Sequence, residues 1–278
     1  MTASANPTLT SHGAEIPIAG FGTSPLTGDV TPENVAAALK VGYRHLDTGR
    51  KYGTERATGE GMRASGIPRK DIFLTTKVSH ENLRAADFAR SVDESLKALR
   101  VDYIDLLLVH WPSLTIPLAE TMQALAKAKR DGLARHIGVA NFRISLIDEA
   151  IKLCPEPLVC LQAEYHPYLD QTKLLAHCRA RGLAFVAYCP LGRGRLFDDK
   201  MLAEIAKAKG RTVAQVALRW LVQQNVASIP RSSDPKRIAE NFDIFNFTLT
   251  DDEMTRIGSL KRDDGRIANP IGRISGWD

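Results

Sequence analysis

The stretch Gly42-Tyr43-Arg44-His45-Leu46-Asp47-Thr48-Gly49-Arg50-Lys51-Tyr52-Gly53 reads as a short strand that ends on an acid, Asp47, followed by a loop that delivers a phenol, Tyr52. Alone it is a weak signal. The same form recurs downstream, where Leu74-Thr75-Thr76-Lys77 ends on an ammonium and Leu106-Leu107-Leu108-Val109-His110 on an imidazole. Short apolar runs of this kind occupy 18–21, 43–46, 72–76, 104–109, 136–139, 159–163, 183–188 and 226–229. They are rich in Val, Ile and Leu, as strands buried on both faces must be.

Amphipathic stretches alternate with them, at 32–41, 55–64, 87–99, 118–130, 144–152, 171–181, 212–223 and 236–242. The first opens on Thr31-Pro32-Glu33, an N-cap followed by Pro at the first helical position. The third repeats apolar residues at Phe88, Val92, Leu96 and Leu99, a helical spacing. Additional helices are predicted near 200–209 and after Thr250, and a hairpin over 9–16. Eight strand–helix units in 278 residues predict an α/β fold, a (β/α)8 TIM barrel with an N-terminal hairpin and extra C-terminal helices. A doubly wound open sheet is the rival. Against it, the first strand–helix turn, Gly20-Phe21-Gly22-Thr23-Ser24-Pro25, lacks the expected glycine fingerprint. Gly59-x-Gly61 lies inside a helix-like stretch and reads as coincidence. No linker or low-complexity tract interrupts the chain, so 1–278 is expected to form one domain, with 1–7 as a flexible tail.

Composition is that of a globular protein, 44% hydrophobic and 25% charged. No apolar run nears the roughly 20 residues that cross a bilayer, and the N-terminus has no secretory pattern. The four cysteines form no Cys-x-x-Cys pair, so reduced thiols in a cytoplasmic protein are expected, with no metal site. A net charge of +5 invites a nucleic-acid partner, but the basic residues are dispersed and no groove-reading module is present. An anionic small molecule fits better.

In such a barrel the active site lies at the C-terminal strand ends, which brings Asp47, Tyr52, Lys77 and His110 to one rim. Each has a plainer reading: Asp47 as a turn former, Tyr52 as packing, Lys77 reaching solvent, His110 as a satisfied structural group. Together they suit one task. A phenol holds its proton to about pH 10, and an adjacent ammonium is expected to lower that value. Asp47 would keep Lys77 charged, and a neutral His110 would orient a carbonyl oxygen beside Tyr52. With no Cys or Ser nucleophile in the set, hydride from a cofactor is the natural reductant.

The sequence resembles the aldo-keto reductase superfamily along nearly its whole length, and in particular its bacterial NADPH-dependent members similar to diketogluconate reductase. Three segments carry the resemblance: 42–48 with Tyr52 and Glu55; 99–106 leading to His110-Trp111-Pro112; and Ile229-Pro230-Arg231-Ser232 with Arg237, Glu240 and Asn241. The resemblance implies Tyr52 as general acid in a tetrad with Asp47, Lys77 and His110. It also implies Asn141 and Gln162 at the nicotinamide carboxamide, with Tyr188 stacked on the ring. Leu191 and Gly192 would lie along the pyrophosphate, with Thr23 and Asp47 also at the cofactor. Arg193 and Arg195 either add charge there or are merely solvated. Arg231, Ser232 and Arg237, with Glu240 and Asn241 beside them, match positions that grip the adenosine 2′-phosphate. NADPH/NADP+ is therefore the expected cofactor. A helix-capping loop would account for Ser232 but not for the arginines.

On the substrate side Ser24, Tyr52, His110, Trp111 and Trp277 are the expected contacts, with fewer aromatic walls than relatives often carry. An open pocket of that kind suits small dicarbonyls, keto-sugars or varied aldehydes. Gly49 and Thr54 replace residues common in relatives, so the Tyr52 loop is expected to be looser than usual. The expected function is NADPH-dependent carbonyl reduction by a monomer. Two readings stay open beside it: a non-catalytic NADPH-binding redox-sensor subunit, and a barrel hydrolase or lyase using Asp47 and His110.

Overall fold

Apolar alternation on one strand shows how the core divides. On Ile104–Val109, Leu106 and Leu108 point into one core and Leu107 and Val109 into another, all fully buried. Successive side chains of a strand face opposite ways, so an unbroken apolar run needs cover on both faces. The computed structural model describes residues 6–24, 31–270 and 276–277. In it the chain begins with an antiparallel hairpin, β1 (Thr8–Ser11) and β2 (Ala14–Pro17). Eight parallel strands follow: β3 (Gly20–Gly22), β4 (His45–Asp47), β5 (Phe73–Val78), β6 (Ile104–Val109), β7 (Ala134–Ala140), β8 (Leu158–Glu164), β9 (Ala184–Tyr188) and β10 (Val226–Ser228).

Each strand pairs with the next, and Ala19 bridges Ser228 in parallel, so the sheet closes on itself. The predicted TIM barrel is the observed fold. Helices α1 (Pro32–Val41), α2 (Glu55–Ser65), α3 (Ala85–Leu99), α4 (Leu118–Arg130), α5 (Ile144–Leu153) and α6 (Thr172–Ala180) each follow one strand. After β9 come α7 (Lys200–Lys209) and α8 (Val213–Gln223), and after β10 come α9 (Pro235–Phe242) and α10 (Asp251–Gly258). Thr31 caps α1 through a capping box with Asn34, followed by Pro32. The Gly59–Gly61 string lies inside α2 as packing: a Cβ at either would meet the backbone at Leu99 or Pro32.

The hairpin closes the N-terminal end of the barrel. Ile16 enters the inner core, Ser11 Oγ donates to Val159 O at 2.6 Å, and the His45 ring lies 3.1 Å from Pro17 O. The working end is therefore the opposite one. The expected tail differs from the structure at Asn6, whose side chain makes two hydrogen bonds with the Ala19 backbone, and at Pro7, whose carbonyl accepts from Ile18 N. Residues 1–5 lie outside the described residues, as does Pro25. Among the described residues no helix is long and apolar enough to cross a membrane.

Candidate active site

The strand period brings Thr75 and Lys77 of β5 to the barrel interior, while Thr76 turns outward to Glu55. Lys77 Nζ is fully buried between Asp47 Oδ1 at 2.5 Å and Thr48 O at 2.7 Å. The other oxygen of Asp47 accepts from Gln162 Nε2 at 2.7 Å. Tyr52 closes a single 3₁₀ turn (Arg50–Tyr52), and its ring lies over Lys77 Nζ at 5.0 Å. His110 N donates to Val78 O, which fixes the residue just beyond β6. Its Nε2 lies 3.5 Å from the Tyr52 hydroxyl, with the two rings nearly perpendicular. That distance is long for a hydrogen bond. Phenol and imidazole thus converge on a point where one acceptor oxygen can take both.

Charge in this cluster is set by burial and pairing together. Burial alone would lower the Lys77 ammonium, but the Asp47 carboxylate beside it reverses this and holds it above the ordinary lysine value. For Tyr52 burial is the larger effect and pushes the phenol up, against the pull of Lys77. The expected lowering of the phenol does not occur. The raised phenol favours the protonated form, and the adjacent Lys77 ammonium works against that rise.

The Tyr52 turn is tied down on several sides, contrary to the expected looseness. Thr54 Oγ1 lies 3.1 Å from Thr23 Oγ1 and 3.3 Å from Thr48 Oγ1, and Arg50 pairs with Glu94 at 2.6 Å. Lys51 pairs with Glu81 at 2.6 Å. Gly49 has extended backbone, and a Cβ there would touch the Tyr52 ring at 3.3 Å.

Above these groups opens a cavity of about 980 Å³. Ser24, Asp47, Tyr52, His110, Trp111, Asn141 and Gln162 line it, as do Arg231, Ser232, Arg237, Glu240 and Asn241. Tyr188, Leu191 and Arg193 contribute further to the wall. Asn141, held at a positive φ of 64°, donates from Nδ2 to His110 O at 2.9 Å and accepts from the Tyr188 hydroxyl at 2.7 Å. The donor set fits a dinucleotide: two amides, Asn141 and Gln162, and two arginines with the Ser232 hydroxyl line one cavity. Arg237 is 72% exposed and 3.9 Å from Asp234, loosely enough held to meet an anion.

Several expected residues lie elsewhere. Thr23 is off the cavity wall, its buried hydroxyl turned back to Asp47 O at 3.1 Å; Gly22 and Ser24 line the wall instead. Gly192 is buried beneath it. Arg195 bonds the backbone of Asp264 and Gly265 rather than facing the cavity. The cap of α9 is Asp234, accepting from Lys236 N at 2.8 Å, while Ser232 Oγ accepts from Asp234 N. Trp277 reaches the site through Trp111, edge to face at 6.1 Å. Sequence reasoning missed Glu164, which closes β8, and its buried partner His166.

A closed (β/α)8 barrel with a buried lysine–aspartate pair beneath a phenol and an imidazole is the framework of a carbonyl-reducing oxidoreductase. The chain belongs to the aldo/keto reductase family, whose pattern it matches over residues 19–262. It is 38% identical to the glyoxal reductase of Bacillus subtilis over 93% of this chain and 94% of that protein. A solved structure provisionally described as a 2,5-diketo-D-gluconic acid reductase B superposes with a TM-score of 0.95 at 46% identity, covering 98% of this chain and 97% of that one. The Bombyx mori aldo-keto reductase, solved in complex with NADP, gives a TM-score of 0.91 at 31% identity over 99% and 98% of the two chains.

Proposed function

We propose that the protein reduces small dicarbonyls and related aldehydes or keto-sugars to alcohols, with NADPH as reductant and Tyr52 as proton donor. One observation carries the reading. The buried Asp47–Lys77 pair lies under Tyr52 beside a cavity that Arg231 and Arg237 also line. Asn141 and Gln162 would hold the nicotinamide carboxamide and Tyr188 its ring face. Arg231, Ser232 and Arg237 would hold the 2′-phosphate, where two forked guanidinium groups favour a phosphate over a free hydroxyl. When bound, the cofactor supplies the hydride that reduces the carbonyl carbon.

The remaining work falls to the chain's own groups. His110 and Tyr52 donate to the carbonyl oxygen and hold it, and negative charge building there draws the proton from the Tyr52 hydroxyl. An alkoxide is more basic than a phenolate, so the transfer runs downhill even from a phenol raised by burial. Lys77 stabilises the resulting phenolate, and Asp47, bonded at both oxygens, keeps Lys77 charged and in place. Ser24, His110 and the Trp111 edge leave the substrate end partly polar and open, which suits small, hydrated dicarbonyls. The B. subtilis relative, named for glyoxal, supports the same substrate class. All the proposed residues come from one barrel, so we take the active unit to be a monomer of one domain.

The test is loss of NADPH absorbance with a panel that includes glyoxal, methylglyoxal, a keto-sugar and a bulky steroid ketone. Turnover of the small dicarbonyls is expected to exceed that of the steroid. Tight NADPH binding without any turnover would replace the reading with a sensor, and no NADPH binding would remove it.

A further inference from the structure

Glu164 closes β8 and is wholly buried, a costly place for a carboxylate without full hydrogen bonding. Its partners come from far along the chain. Oε1 accepts from Ile267 N at 2.7 Å and lies 3.0 Å from His166 Nε2, and Oε2 accepts from Ala268 N at 2.6 Å. Two successive backbone N–H groups thus close on one carboxylate, the geometry of an anion nest. His166 is itself fully buried. Gln171 Nε2 donates to the Glu164 carbonyl at 2.7 Å, which fixes the strand end that carries the carboxylate.

The segment so held, 262–269, has no regular structure, and within it only Gly265 is buried. Few apolar contacts tie it to the barrel, so its docking depends on polar anchors. Besides Glu164 these include Tyr168 O, which accepts from Arg262 N at 3.0 Å, and Arg195, which donates to Asp264 O at 3.2 Å and pairs with its carboxylate at 3.2 Å. The Arg262 guanidinium also pairs with Asp199 at 3.6 Å and stacks on the Tyr168 ring. The strap in turn carries the substrate wall. Ala268 lines the cavity, Asn269 Oδ1 accepts from Trp277 Nε1 at 3.0 Å, and Arg266 stacks on the Trp277 ring at 3.5 Å. Trp277 then meets Trp111, which also lines the cavity.

Resting on the carbonyl-reductase reading of this cavity, we infer that Glu164 is a positioning residue that latches the strap 262–269 to the barrel and thereby sets the size of carbonyl the site accepts. Its carboxylate bonds to His166, Ile267 and Ala268 and to none of the groups proposed for the reaction, although its strand pairs with Tyr188 at this position. It selects substrates through the wall it holds.

The test replaces Glu164→Gln, which keeps the volume but turns an amide toward two N–H donors. Amide exchange at Ile267 and Ala268 is expected to quicken by about tenfold or more while the β5 and β6 amides stay protected. With NADPH saturating, KM for methylglyoxal is expected to rise about tenfold with kcat within about threefold, and the preference over phenylglyoxal to fall. Arg195→Ala, on the exposed side of the strap, should shift both readouts in the same direction by less. Strap amides that remain protected in Glu164→Gln overturn the latch. So does a freed strap with unchanged KM ratios, or a uniform fall of kcat for every substrate. If the wild-type protein turns over no carbonyl, the reductase reading fails by itself, and the exchange rates still decide the latch.

Discussion

Gln162 Nε2 donates to Asp47 Oδ2 at 2.7 Å while Asp47 Oδ1 takes Lys77 Nζ at 2.5 Å, so one carboxylate joins the β8 amide to the β5 ammonium. Lys77 lies under the Tyr52 ring, and the line Gln162–Asp47–Lys77–Tyr52 crosses the barrel mouth from side to side. Each member removes freedom from the next. In the proposed reaction the strength of Tyr52 as an acid is a property of the whole line, and disturbing any member is expected to be felt at the phenol.

Tyr52→Phe removes the hydroxyl and leaves the ring over Lys77. Turnover should fall by about 10²–10⁴, the range of a lost general acid, while NADPH affinity measured by fluorescence quenching stays within about twofold. Retained turnover would assign the proton to another group.

Lys77→Met should abolish most turnover and also strip the buried Asp47 of its counter-ion. An orphaned buried charge costs about 3–5 kcal/mol, visible as a lower urea midpoint. Adding Asp47→Asn removes that charge, so the double variant should recover part of the stability with activity still lost. A double variant no more stable than the single one would mean that the pair is not coupled as its geometry requires.

The barrel was legible because its strands are long in apolar residues: 106–109 can be buried on both faces only in a sheet covered on both sides. The clustering of Asp47, Tyr52, Lys77 and His110 was legible for a related reason, since strand ends name the rim. The same rule, carried on to β8, finds Glu164, and the omission lay in stopping at three strands. What it bonds was not legible, because Ile267 and Ala268 contribute backbone N–H groups, which leave no trace in side-chain identity. Where the Arg195 and Thr23 side chains turn was not legible, because spacing does not say which way a side chain points at a loop. The direction of the Tyr52 shift was misjudged for want of burial, which outweighs the nearby ammonium.

Arg237→Ala tests the proposed 2′-phosphate contact. The residue is largely exposed and only loosely paired, so folding stability should change by less than about 0.5 kcal/mol. Loss of a charge-assisted contact to a 2′-phosphate is worth about 1.5–3 kcal/mol, or about ten- to a hundredfold in NADPH affinity. NADH affinity should stay within about threefold. Equal weakening of both cofactors would remove the phosphate from this position.

His45 makes stability depend on pH. Its ring is fully buried between Pro17 O and the Thr75 hydroxyl, and burial holds it below the ordinary value of 6.5, with Asp47 pulling the other way. Lys77 lowers it further, and Asp105 raises it. Above that ordinary value both folded and unfolded chains carry a neutral ring, and no pH dependence arises from it. As pH falls through 6.5 the unfolded chain takes up a proton that the folded one refuses, so stability declines until the lowered folded pKa is reached. His45→Gln should cost about 1–3 kcal/mol at pH 8, from hydrogen bonds made less well, yet flatten the fall of Tm between about pH 7 and pH 5. Some slope should remain, because burial, with Lys129 next, holds His136 low as well. If the variant and the wild type lose Tm in parallel over that interval, the proton is taken up elsewhere and His45 is not the acid-sensitive group of the barrel floor.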